Sequence, residues 1–335
     1  MEKFYFEEER IKQEIEKLEA KHVLIQLPEG LKPHGPRLAK VVEKTGALAI
    51  ISADPCYGAC DLAIPEAETL RADLLVHFGH TPITRQSRVP TIYVEAKAGV
   101  SIKEAINNAL PFIEGWKSLG LATTVQHVDM LSEARERLIK AGKGVAIGDT
   151  GKLNYAGQVT GCNYSNAKAV SEDVEAFLFI GGGKFHAIGL ALATGKPVTV
   201  ADPYEKRAYR IDNEVQTTMK QRWATICEAK SAENFGLLIG LKNGQERLDE
   251  ALEIKENLEK KEKKATLLAL REITPEALMQ FPTLEAFVNT ACPRVSLDDA
   301  SKFRKPVLTL EETLVVLEEM SWEKLCKEGW FGNGT

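Results

Sequence analysis

The 335-residue sequence contains no apolar run approaching the roughly 18 residues of a membrane-spanning helix, so no membrane partner is expected. Charge of one dominant sign is also missing. With 43 Lys+Arg against 48 Asp+Glu the formal net charge is −5, which gives no general attraction to nucleic acid or anionic lipid. No direct nucleic-acid partner is expected. The opening stretch, residues 1–20, is densely charged and unlike a secretory leader, and a cytoplasmic location is the expectation. Cysteine is scarce: six in so long a chain exclude a disulfide scaffold, and a reducing cytosol would keep them as thiols. A radical-enzyme motif of three cysteines in one short loop is absent, and so is the glycine fingerprint of a dinucleotide-binding turn.

What is present is an ordinary globular composition, 44% hydrophobic and 27% charged, long enough for about two or three domains. Residues 4–20 carry Ile11, Ile15 and Leu18 at helical spacing and predict a leading amphipathic helix. Short apolar runs then alternate with helical stretches. Strands are expected at 22–27, 47–52, 73–79 and 91–96; then at 121–128, 145–149, 176–182 and 196–203; then at 235–241, 264–273, 285–293 and 305–310. A long helix is expected from about Gly244 to Lys263. Buried strands separated by helices indicate parallel sheets covered on both faces. The order recurs at a period of roughly a hundred residues, too long for a solenoid. The fold class is therefore α/β: three homologous parallel-sheet domains around a common centre, with an extra N-terminal helix. The expected domains are 1–112, 113–230 and 231–335.

Three cysteines stand in separate loops, each where a strand-like run breaks into Gly, Pro and polar residues: Cys60 in DPCYGACD, Cys162 in GQVTGCN and Cys292 in TACPRVSLDD. In parallel α/β sheets, functional loops gather outside the carboxyl ends of strands. If these loops converge, three thiolates would hold an iron–sulfur cluster and leave one iron without a protein ligand. The same thiolates also suit zinc closed by His77, His80 or His186. Cys60 is preferred over Cys56 in the first loop: Gly58 and Ala59 precede it, and Asp61 follows at an expected helix start whose dipole would favour a thiolate. Cys56 is the spare. Cys227 and Cys326 lie in helix-like stretches and read as small buried hydrophobes.

Other loops offer ligand-binding groups. Gly181, Gly182 and Gly183 end a strand before a helix and present backbone N–H groups suited to a carboxylate or phosphate, although a plain tight turn uses glycine equally well. His186 follows directly. Arg294, two residues after Cys292, is placed to pair with a carboxylate, its ordinary role being a surface ion pair. His80 in HFGH lies past a strand end. The Lys/Glu run at 255–264 is a solvated helix face.

Taken together, YGACD (57–61), HFGH (77–80), GQVTGCN (157–163) and ACPRVSLDD (291–299) resemble the diphthamide biosynthesis family over essentially the whole chain. The resemblance implies that Cys60, Cys162 and Cys292 ligate a 4Fe–4S cluster whose open iron meets S-adenosylmethionine. It implies a homodimer that depends on an electron donor. The implied activity is transfer of the 3-amino-3-carboxypropyl group to a histidine of translation elongation factor 2, by reductive, radical-type carbon–sulfur cleavage. Gly181–Gly183, Arg294, His80 and His186 are the residues assigned to the cofactor cavity. Two other readings stay open: a quinolinate-synthase-like lyase acting on a small molecule, and a non-catalytic metal or redox sensor.

Overall fold

The computed structural model describes residues 4–83 and 88–331. It contains three sheets. The first is ordered β2-β1-β3-β4, with β1 His22–Gln26, β2 Leu48–Ile51, β3 Leu74–Phe78 and β4 Thr91–Val94. The second is ordered β6-β5-β7-β8-β9, with β5 Ser118–Thr123, β6 Gly144–Ala146, β7 Ala176–Ile180, β8 Val198–Asp202 and β9 Arg207–Arg210. The third is ordered β11-β10-β12-β13, with β10 Asn234–Gly240, β11 Lys264–Leu270, β12 Ala286–Asn289 and β13 Val307–Leu308. Every neighbouring pair is parallel except β8–β9. Each sheet therefore repeats one winding, second strand, first, third, fourth, because parallel neighbours require a crossover rather than a hairpin.

The chain forms two compact units, Met1–Val100 with Lys242–Gly244, and Ser101–Leu241 with Gln245–Thr335. In the first unit the leading helix is Glu8–Lys17, and its Ile11 and Ile15 are buried while Leu18, just past its end, is exposed. They pack with Val23, Ile25 and Val76 on one face of the sheet; Leu24, Leu62, Ala67 and Leu75 fill the other.

In the second unit, the second and third sheets share one core. Phe177, Phe179 and Val200 belong to it with Phe235, Leu237 and Val288, and the 19-residue helix Asp212–Lys230 contributes Ile226 and Ala229. The helix Lys103–Ala109, which a boundary at 112 leaves with the first sheet, buries Ala105, Ile106 and Ala109 with Leu119 and Leu178 of the second. Sequence patterning did not foresee β9, which pairs antiparallel with β8. The run 121–128 is also not one strand: β5 ends at Thr123, and Val125–Met130 is a 3-10 helix that buries Val125, His127 and Val128. Apolar residues every second or third position satisfy either geometry. The helix expected from Gly244 begins only at Leu248 and ends at Lys260.

One buried ion pair ties these elements together. Arg222, 1% exposed, donates from Nε to Glu312 Oε1 at 2.7 Å and from its remaining nitrogens to Ser296 O at 2.6 Å and Val307 O at 2.8 Å. Glu312 also accepts from Trp330 Nε1 at 3.0 Å and from Thr309 N at 2.9 Å, closing a capping box on the helix Leu310–Val316. Glu312→Ala leaves the guanidinium buried without its counter-charge and is expected to destabilise the second unit by about 3–5 kcal/mol in urea unfolding, whereas the apolar pair Arg222→Met with Glu312→Leu costs far less. Equal losses from both variants would show that packing, not charge, holds this junction.

Candidate functional site

In the first unit Cys60 sits in the crossover after β2. The expected helix start at Asp61 is not there: Asp61 N donates to Gly58 O in a turn, and the helix begins at Ile64, so no dipole acts directly on Cys60. The turn is held from two sides. Gln26, at the end of β1, donates from Nε2 to Asp61 O at 2.6 Å and accepts from Ala63 N at 3.1 Å. Gly244 N donates to Cys60 O at 3.0 Å, and a Cβ on Gly244 would lie 2.5 Å from Cys60 Cα. Only glycine permits that approach. Lys242 pairs with Asp61 Oδ2 at 3.1 Å, both nearly buried, and its ammonium lies 4.4 Å from the centre of the Tyr57 ring. The Cys60 side chain remains partly exposed.

Cys162 and Cys292 belong to the second unit. Cys162 follows a short parallel bridge between Thr123 and Gln158 and is exposed, with Sγ 3.7 Å from Thr160 Oγ1. Thr160 and Asn163 close its turn through Thr160 N→Asn163 O at 3.0 Å and Asn163 N→Thr160 Oγ1 at 3.1 Å. Cys292, partly exposed, is the N-cap residue of the helix Pro293–Leu297. Asn289, at the end of β12, donates to Cys292 O at 2.7 Å and Ser296 Oγ at 3.0 Å. The two loops are linked through Phe185. Its ring would meet a Cβ on Gly161 at 2.7 Å, and the Arg294 guanidinium lies 4.1 Å from its centre. Arg294 is exposed and also donates to Asp298 Oδ2 at 3.0 Å. Buried Tyr164 lies among these groups: burial pushes its hydroxyl well above the usual range, Cys162 and Asp298 add to this, and Arg294 opposes it.

Gly181, Gly182 and Gly183 follow β7 and precede the helix Phe185–Thr194. Gly181 and Gly183 have φ of +151° and +78°. A Cβ on Gly182 would lie 3.2 Å from the Tyr204 ring, and one on Gly181 would lie 3.7 Å from His127 Nδ1. His127 Nε2 and the Tyr204 hydroxyl share a hydrogen bond at 3.0 Å, and Asp202 Oδ1 accepts from Tyr204 N at 2.9 Å. His186 stacks on Phe179, ring centres 6.2 Å apart. His127, Tyr204, Phe185 and Lys242 belong to no recognisable motif in the sequence. The available signal was positional: each lies within a few residues of an apolar strand's carboxyl end. Cys227, read as buried, is exposed on the helix Asp212–Lys230, because its turn of the helix is anchored by Ile226 and Ala229 instead.

His80 and His77 face Cys56 in the first unit. His77 Nε2 lies 3.0 Å from His80 Nδ1, and Cys56 is 1% exposed, its thiol pushed up to about 12 by burial and then by Asp61 and Glu29. Burial drives His80 down to about 4 and His77 well below its ordinary value. Cys60, Cys162 and Cys292 differ from Cys56: each is at least partly exposed in a loop, and thiols of this kind are the usual protein ligands of an iron–sulfur group. Burial also lowers His127 to about 4, so the unfolded chain binds the extra proton first. Between about pH 6.5 and pH 4 this residue alone is expected to remove up to about 3 kcal/mol of stability as pH falls. In urea titrations across that window His127→Gln should flatten the acid slope; an unchanged slope would exclude the assignment.

The family model for diphthamide synthesis proteins matches residues 27–326. The chain is 41% identical over 323 residues to the 2-(3-amino-3-carboxypropyl)histidine synthase of Pyrococcus horikoshii, covering 94% of this chain and 92% of that one. With subunit 1 of the human 2-(3-amino-3-carboxypropyl)histidine synthase the identity is 31% over 320 residues, covering 92% of this chain and 71% of the human one. Among solved structures, Dph2 from Pyrococcus horikoshii with a 4Fe–4S cluster is similar with a TM-score of 0.87 at 39% identity, covering 95% and 92% of the two chains. A family model matched over residues 27–326, 41% identity over 94% of the chain and a TM-score of 0.87 lead to one conclusion: the chain belongs to the diphthamide synthesis family.

Proposed function

We propose that this chain is a 2-(3-amino-3-carboxypropyl)histidine synthase, transferring the 3-amino-3-carboxypropyl group of S-adenosylmethionine to a histidine of translation elongation factor 2, the first step of diphthamide synthesis. The observation that carries the reading is the trio of accessible cysteines at strand-end loops, in a chain 41% identical over 94% of its length to a synthase of that name. In this reading Cys60, Cys162 and Cys292 hold a 4Fe–4S cluster. When bound and reduced, that cluster supplies the electron that breaks the sulfonium carbon–sulfur bond on the aminocarboxypropyl side, leaving methylthioadenosine. A homodimer, an external electron donor and a cytoplasmic setting complete the proposal, as does descent from three homologous domains, 1–112, 113–230 and 231–335.

The chain's own residues position the substrate. Arg294, over the Phe185 ring and hydrogen-bonded to Asp298, stands two residues from Cys292 and is suited to the cofactor's carboxylate. Gly181 N donates to Ala201 O at 3.1 Å, so in the Gly181–Gly183 loop the backbone N–H groups assigned to the cofactor are those of Gly182 and Gly183, and His127 with Tyr204 forms the neutral wall against which the loop packs. His186 lines the same segment, and His80 walls the first unit's loop beside Cys56. Lys242, paired with Asp61, places a cation next to the Cys60 turn.

Two measurements test the reading. Serine at Cys60, Cys162 or Cys292 is expected to remove the brown colour and most of the iron from anaerobically purified protein, while Cys227→Ser keeps both. Full iron content in the Cys162→Ser variant would end the ligand assignment, and colourless wild-type protein with tightly held zinc would favour the sensor. With dithionite and S-adenosylmethionine, elongation factor 2 should gain the mass of one aminocarboxypropyl group; turnover of a small molecule without that gain would favour the lyase. Arg294→Ala should weaken S-adenosylmethionine binding by about ten-fold or more, the loss of a charged hydrogen bond of about 1.5–3 kcal/mol, with the cluster spectrum unchanged. Unaltered affinity would remove Arg294 from the site.

A further inference from the structure

Cys56 and His77 take no part in the chemistry proposed above and His80 only walls the loop beside Cys56, yet among the described residues the three form a group of metal-ligating side chains close to a coordination sphere. One donor atom from each lies within 4.8 Å of the other two. Bonds of about 2.0–2.3 Å to nitrogen and sulfur put the ligand atoms of a tetrahedral zinc site roughly 3.3–3.8 Å apart, so small side-chain shifts suffice. We propose that these three residues bind one zinc-class divalent cation, separate from the iron–sulfur ligands, that fastens the segment leading to Cys60 onto the end of β3.

The surrounding hydrogen bonds orient the donors for this task. Gln26 Oε1 is the amide's acceptor atom, since Gln26 Nε2 donates to Asp61 O at 2.6 Å and Ala63 N donates to Oε1 at 3.1 Å. His77 Nδ1, 2.8 Å from that oxygen, must therefore carry the proton, and Nε2 keeps its lone pair toward His80. A ligating histidine that donates its other N–H to a carbonyl oxygen is the usual outer-shell arrangement of a metal site. Both rings are neutral near pH 7, as ligands must be. Glu29 accepts from Cys56 N at 3.2 Å, so a carboxylate stands beside the thiol and complements a dication. Binding is balanced by one proton: the Cys56 S–H bond breaks, sulfur bonds the cation and the proton leaves to solvent. The imidazoles stay neutral, the proton between them settling on the ring nitrogen of His80 that faces away from the cation.

The physical consequence is a clamp. Cys56 lies in the crossover after β2, His77 in β3 and His80 just beyond it. A cation joining them fixes the loop four residues ahead of Cys60, whose carbonyl Gly244 N already holds.

The test uses the full-length chain carrying Cys60→Ser, Cys162→Ser and Cys292→Ser, which removes the cluster ligands and makes the result independent of the synthase reading. Titrated with zinc against a chromophoric chelator, it should hold one zinc per chain, and X-ray absorption should show one sulfur and two nitrogen ligands. Cobalt in its place should give a thiolate charge-transfer band. Cys56→Ser on this background should abolish the band and the stoichiometric binding. Gln26→Leu should weaken binding about 10–100-fold through loss of the outer-shell partner. His80→Ala, at a partly exposed position, serves if Cys56→Ser does not fold. A chain with native circular dichroism that takes up no zinc, or binding untouched by Cys56→Ser and His80→Ala, would overturn the proposal.

Discussion

Parallel pairing is the constraint on which the rest depends. Strands that run the same way deliver all their carboxyl ends to one edge of a sheet, and each must be followed by a crossover that leaves that edge. In all three sheets the first strand lies between the second and the third, so the crossover from second to third strand passes the end of the first. Cys60 and Cys162 lie in such crossovers; Cys292 caps the helix after the third strand of its sheet. Loops at these positions lie outside the strands, with the short Thr123–Gln158 bridge leading into the second, and can expose a thiol, while the apolar strands behind them supply rigidity.

Each cysteine loop is braced by a group that ends a buried strand. Gln26 closes β1 and holds the turn from Asp61 to Ala63; Asn289 closes β12 and holds the carbonyl of Cys292; Thr123 closes β5 and pairs with the backbone before Cys162. Behind the Cys292 helix stands the Arg222–Glu312 pair, whose guanidinium also accepts the burden of satisfying Ser296 O and Val307 O. Charges buried at that depth are tolerated because nearly every donor finds an acceptor. Close approach supplies the rest: Gly244 against Cys60 and Gly161 against Phe185 leave no room for a side chain, so these loops have a single workable path.

Neutral imidazoles recur beside these loops. His77, His80 and His127 are all driven down by burial, and each is hydrogen-bonded to another side chain. Neutral rings can accept a proton, orient a hydroxyl or ligate a metal without repelling a cation, which an imidazolium would do. Cys56, its thiol similarly neutral, contrasts with Cys60 only four residues away, which remains partly exposed. Two cysteines in one loop thus occupy different dielectric surroundings.

Much of this was written in the chain itself. Runs such as LLVHF and AFLFI are the short continuous apolar stretches that strands of a covered parallel sheet require, and they form β3 and β7. Local pattern is enough there because burial on both faces demands continuous apolar residues. It could not tell a strand from a 3-10 turn at Val125–Met130, nor find the short antiparallel β9, since both are settled by neighbours distant in sequence. The joining of Cys56 to the two histidines, the seat of Arg294 on Phe185, the pairing of Lys242 with Asp61 and the exposure of Cys227 likewise came only from tertiary structure. The physical reason is the same in each case: pair energies depend on distance and burial, and these are properties of the folded packing, not of spacing along the chain.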